Sequence, residues 1–76
     1  MDKHHLNLVS IGVKLTQLRK KNGHKSYESF AVENNLSRMQ YWRIEKGKTN
    51  LTIKSLVRIL DIHGITLEEF FCKKSF

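Results

Sequence analysis

The 76-residue chain has no proline, one cysteine, no long apolar run and only seven acidic residues. Each shortage excludes something. A lone Cys72 cannot build an intrachain disulfide framework, so packing must hold the fold and a reducing compartment is expected. Nothing approaches the roughly eighteen apolar residues of a membrane span, and Asp2 and Asn7 interrupt any signal-peptide core. A cytoplasmic protein without a membrane partner is therefore expected. No low-complexity tract or internal repeat occurs, and no proline interrupts the helical stretches described below. This length supports one modest core and excludes a multidomain enzyme. The expectation is a single domain over 1–76, with its core at about 11–71 and flexible tails at 1–7 and 73–76.

Against the seven acids stand 14 Lys+Arg, a formal net charge of +7 that points to a polyanionic partner, nucleic acid being the default. The charge is concentrated. Between Lys14 and Arg58 lie eleven basic side chains and three acidic ones, Glu28, Glu33 and Glu45, whereas both ends are close to neutral. A lysine-rich surface kept for solubility would give the same count, so the charge needs a motif beside it.

The apolar pattern has helical spacing and no strand alternation, which makes the fold class all-α. Leu8, Ile11, Leu15 and Leu18 form one stripe that ends in Arg19, Lys20 and Lys21 before Gly23. Ser26 is an N-cap candidate for a short second helix with Phe30 and Ala31 inward. Asn35 suits a left-handed turn, and Ser37 with Gln40 forms a capping-box pattern opening a third helix that runs through Lys46 and stops at Gly47. Ile53, Leu56, Val57 and Leu60 mark a fourth helix ended near Gly64. Thr66 with Glu69 caps a fifth, whose buried face is expected at Leu67, Phe70 and Phe71.

The second and third helices are joined by a turn of about three residues, Asn35 to Ser37, inside the basic segment. So short a joint forces a steep crossing, for which Ala31 provides a small contact residue and Leu36, Tyr41 and Ile44 the filling. Projected at about 100° per residue from Arg38, Trp42 falls near 40°, Lys46 near 80°, Met39 near 100° and Arg43 near 140°, with Ile44 and Tyr41 on the opposite side. The apolar pair points inward and the basic set outward. Two arginines presented this way suit the major groove, where guanidinium bonds guanine O6 and N7, and Ser37 with the free amides of the helix start suits a phosphate.

The run from Ser26 to Lys48, SYESFAVENNLSRMQYWRIEKGK, resembles the core of the Cro and phage-repressor helix-turn-helix family, also called the Xre family. The tail from Leu56 to Phe71 continues the likeness. The resemblance implies a compact five-helix, lambda-repressor-like domain with a central helix-turn-helix. It also implies a sequence-specific double-stranded DNA-binding transcriptional regulator, a repressor that works as a homodimer on a palindromic operator. It makes Arg38, Met39, Trp42 and Arg43 the candidate base-reading surface. Ser26, Tyr27, Ser37, Lys46, Lys48 and Thr49 become candidate phosphate contacts. Arg19 and Glu45 match a structural ion pair that ties the first helix to the third. Four features depart from the family pattern: Tyr27 in place of a usual glutamine, a loop after Arg19 one residue longer, Asn50 and Leu51 where proline is common, and Trp42 at an outward position that is generally small or polar.

Competing readings attach to several of these residues. Trp42 either stacks on a sugar or thymine methyl or folds back as a core residue, Met39 either faces DNA or fills a gap, and Tyr27 either extends the core or holds phosphate. Phe70, Phe71 and Phe76 are core, or in part a dimer interface. His4, His5, His24, His63 and Cys72 have no zinc-ligand spacing, and no nucleophile elbow or phosphate loop occurs, so no metal, cofactor, small-molecule substrate or catalysis is expected. The rival from another class is an antitoxin or protein-interaction module whose helix-turn-helix docks a partner protein through Trp42, Met39 and the C-terminal phenylalanines.

Overall fold

Short polar residues set where the helices begin. The computed structural model describes residues 3–76, with side chains from Leu8 onward. In chain order the elements are α1 (Lys3–Lys21), α2 (Tyr27–Glu33), α3 (Arg38–Glu45), α4 (Ile53–His63) and α5 (Leu67–Cys72), with no strand among the described residues. Ser26 Oγ accepts from the amides of Glu28 and Ser29 at 3.1 and 3.3 Å, and Thr52 Oγ1 from that of Ser55 at 3.1 Å. At Thr66 the capping box is complete: its hydroxyl accepts from the Glu69 amide and the Glu69 carboxylate from the Thr66 amide. Ser37 forms half of the expected box. Its hydroxyl accepts from the Gln40 amide at 3.3 Å, but the exposed Gln40 side chain makes no return bond.

The helix ends follow one rule as well. In α1 to α4 two amides beyond the helix fold back on its last turn, for example Lys48 N on Arg43 O at 2.9 Å and Gly47 N on Ile44 O at 3.2 Å. This arrangement needs a left-handed residue, supplied by glycine at 23, 47 and 64 and by Asn35 at φ 57° in the turn between α2 and α3.

Among the described residues, nine hydrophobic side chains from all five helices form the core: Leu15 and Leu18, Phe30 and Ala31, Tyr41, then Leu56, Ile59, Leu60 and Phe70. Phe30 is its aromatic centre, 5.0 Å from the Tyr41 ring, 5.1 Å from His24 and stacked at 5.0 Å on His63. Two expected core positions are corrected. Ile53 is 62 % exposed because α4 is rotated to bury Ile59 instead, and Phe71 is 53 % exposed because Phe70 alone points down from that turn of α5. The C-terminal residues, expected as a tail, return to the body: the Phe76 amide donates to Gln17 Oε1 at 3.1 Å and its ring stacks on Phe70. At the other end α1 already starts at Lys3, and residues 1 and 2 of the expected tail lie outside the described residues.

Gly12 is buried in mid-helix, where glycine is a poor helix former. A Cβ there would overlap the Glu45 carbonyl oxygen and lie 2.8 Å from that of Ile44. The backbone of α1 thus touches the C-terminal end of α3 directly. Helix propensity favours Gly12→Ala by up to about 1 kcal/mol, but the overlap is with backbone that cannot swing aside, a clash of about 1–3 kcal/mol. Gly12→Ala is expected to lower the urea midpoint, whereas a helix glycine without this contact would give a rise.

His63 closes the opposite side, with Nδ1 3.0 Å from Asn22 Nδ2. Burial, and next the nearby His24, hold its pKa below the ordinary 6.5, opposed by Glu45. The folded state therefore prefers neutral His63. As pH falls through about 6.5 the unfolded chain takes up a proton first, so stability drops until the lowered folded-state value is also passed. Urea midpoints should fall between about pH 7.5 and 5.5, above the carboxylate range, and the fall should shrink in His63→Gln.

Candidate nucleic-acid interface

A helix of only two turns has no stability of its own, so the direction of α3 (Arg38–Glu45) depends on what grips it. Tyr41, 1 % exposed, anchors its inner face against Phe30. Burial, and next the Glu45 carboxylate, push the Tyr41 phenol far above its usual range, so it stays neutral. Glu45 is held at the helix end by Arg19: Nε to Oε2 is 2.7 Å and Nη2 to Oε1 3.2 Å, a two-pronged pair with both side chains buried. The third arm, Arg19 Nη1, donates to His24 O at 2.7 Å. The Glu45 carboxylate, bonded to it, raises the Arg19 pKa further and keeps it charged. The turn is braced from α4, where Arg58 Nη2 donates to Asn35 O at 3.2 Å.

With Tyr41 and Glu45 inside, the other face of α3 is left outward. Arg38, Arg43 and Lys46 are exposed and Met39 is 58 % exposed, so these four sequence-selected residues share one surface. Trp42 is half-buried but is not among the side chains packed on the core, and the Lys48 ammonium lies 5.3 Å from its ring centroid. That lysine is placed by the backbone fold-back at Gly47, whose φ of 68° and contact with the Val9 backbone leave no room for a side chain.

The candidate phosphate residues flank this face. Ser37 is exposed at the start of α3, and Ser26 is half-buried at the start of α2; each hydroxyl accepts from its helix and keeps its proton as a donor. Lys48 is exposed and Thr49 half-buried in the segment after α3. Tyr27 is half-buried with its ring against the core, which supports its core reading. Arg58 and Gly12 escaped the sequence reading. Arg58 falls within a helix that reads as ordinary, and glycine within a helix signals weakness rather than contact.

No helix of the described residues is long and apolar enough to cross a membrane. Among them no group of three or more His, Cys, Asp or Glu side chains is placed to hold a metal ion.

Two short helices at a braced turn, the second bearing cations and apolar side chains outward, define a helix-turn-helix. The family model of that description matches residues 15–70, and the chain belongs to the Xre/Cro-type helix-turn-helix family, which comprises DNA-binding regulators rather than enzymes. Among curated proteins it is similar to the control protein C.MunI of a Mycoplasma species, 43% identical over 63 residues that cover 83% of this chain and 85% of that protein. It is also similar to the plasmid copy control protein CopR of Streptococcus agalactiae, 46% identical over 50 residues, which are 66% of this chain and 54% of that protein. No solved structure matches.

The junction under α3 makes a direct prediction. Arg19→Met leaves the Glu45 carboxylate buried without its partner and should cost about 3–5 kcal/mol in urea unfolding. Adding Glu45→Gln should restore part of that loss, since the second change removes the stranded charge.

Proposed function

We propose that this chain is a sequence-specific transcriptional repressor that binds a palindromic operator as a homodimer, α3 entering the major groove of each half-site. The observation that carries the reading is the one-sided display on α3: Arg38, Met39, Arg43 and Lys46 outward, Tyr41 and Glu45 buried behind them. Arg38, Met39, Trp42 and Arg43 read bases. Ser26, Ser37, Lys46, Lys48 and Thr49 hold phosphates and set the register, whereas Tyr27 packs its ring against the core. Repression then follows from occupancy of a promoter and needs no chemistry. A two-fold arrangement also needs an interface, and Phe71, exposed beside Ser10, Ile11 and Lys14 of α1, is the C-terminal phenylalanine left for it. Phe70 and Phe76 are engaged with each other.

The test is selection of bound duplexes from a random-sequence library at physiological salt. An inverted repeat with half-sites about one helical turn apart is expected. If a dimer neutralises about six phosphates, affinity should fall with salt with a log-log slope of about −5. Arg43→Ala should lose about 1–3 kcal/mol of base discrimination at one position per half-site, whereas Lys46→Ala should weaken all duplexes alike. A slope near zero, or binding with no enriched sequence, would overturn the reading in favour of a helix-turn-helix that docks a protein partner.

A further inference from the structure

The outward face of α3 contains more apolar surface than phosphate binding or guanine reading requires. Met39 is 58 % exposed and is not among the residues that form the core. Trp42, one turn further along, is half-buried and neighbours it on the helix surface at the i, i+3 spacing. Arg38 and Arg43 are exposed and, in projection, bracket this apolar pair at about 0° and 140°. Held against water, these side chains lose hydrophobic free energy that nothing inside the protein returns. The major-groove edges of the four bases offer one apolar group, the C5-methyl of thymine.

We propose that Met39 and Trp42 together form a pocket for a pyrimidine C5-methyl group, thymine in unmodified DNA, next to a guanine taken by Arg38 or Arg43. The proposal rests on the DNA-reading role of α3 given above. The Lys48 ammonium over the indole restrains the ring, so that Trp42 presents a fixed apolar wall and Met39, unbranched and adaptable, closes over the methyl from the other side. A methyl group removed from water in this way is worth about fourfold in affinity.

The experiment uses the full chain and the duplex enriched by the library selection, resynthesised with each thymidine replaced singly by deoxyuridine, which pairs identically but lacks the methyl. By fluorescence anisotropy at fixed salt, one or two positions per half-site should lose about three- to tenfold in affinity and the others should be unaffected. At a responsive position, 5-methylcytosine should bind more tightly than cytosine, separating the methyl from the rest of the thymine. Met39→Gln, at an exposed site that leaves the core intact, should bind the thymidine duplex about three- to tenfold more weakly, with the deoxyuridine effect largely abolished. Emission from Trp42, the sole tryptophan, should shift more on binding the thymidine duplex than the deoxyuridine one. Equal affinity for thymidine and deoxyuridine at every position, with the operator still preferred over random DNA, would overturn the methyl pocket and leave the regulator reading intact. Absence of any preferred duplex would overturn both.

Discussion

The contact between α1 and the C-terminal end of α3 is the constraint on which the rest depends. Gly12 lets the two backbones touch, and seven residues later Arg19 reaches the same helix end and grips Glu45 with two nitrogens. Close approach and a fork-shaped ion pair restrict different freedoms. The first fixes separation, and the second fixes rotation about α3, because a guanidinium and a carboxylate meet well in one plane only. A buried pair adds little net stability over a hydrophobic one, so its value here is geometric. It selects which side of an eight-residue helix faces out.

That selection also shapes the field. Of the three acidic residues in the basic segment, Glu45 is the one on α3, and its charge is spent internally on Arg19. The remaining charged groups of α3 are Arg38 and Arg43, both exposed, with Lys46 at its cap. The start of the helix carries the positive end of its dipole, to which Ser37 adds a hydroxyl donor. The side-chain charges that α3 and its cap present outward are therefore all positive, although the chain carries acids elsewhere.

The helix boundaries were legible because their causes are local. Ser26, Ser37, Thr52 and Thr66 cap amides within three residues, and the left-handed positions 23, 35, 47 and 64 hold glycine or asparagine, so a short stretch of sequence contains all the physics involved. Rotation of a helix about its axis is set from outside it. Ile53 and Ile59 both fit an apolar stripe through Leu56 and Leu60, and only packing against the other helices decides that Ile59 is the one buried. The place of Phe76 depends on Gln17, 59 residues before it, as well as on the nearby Phe70. On the candidate interface, Arg38, Met39, Arg43 and Lys46 are exposed, while Tyr27 packs against the core. The half-burial of Trp42 was open, because the lysine that covers it arrives through a backbone reversal at Gly47.

A chain of this size buries a smaller fraction of its surface than a large domain does and has little stability to spare. Here no disulfide supplements the core, and the described structure relies on cheap local devices: four hydroxyl caps, four fold-back helix ends and one buried ion pair. Each satisfies polar groups that a small core cannot hide, and none uses the outer face of α3. Arg38, Met39 and Arg43 are exposed on the outer face of α3, and so sequence change at those three positions comes at little cost to the fold. Trp42 and Lys48 are the exception. Their mutual contact joins the outer face of α3 to the reversal that ends it, so a change at either position alters local structure as well.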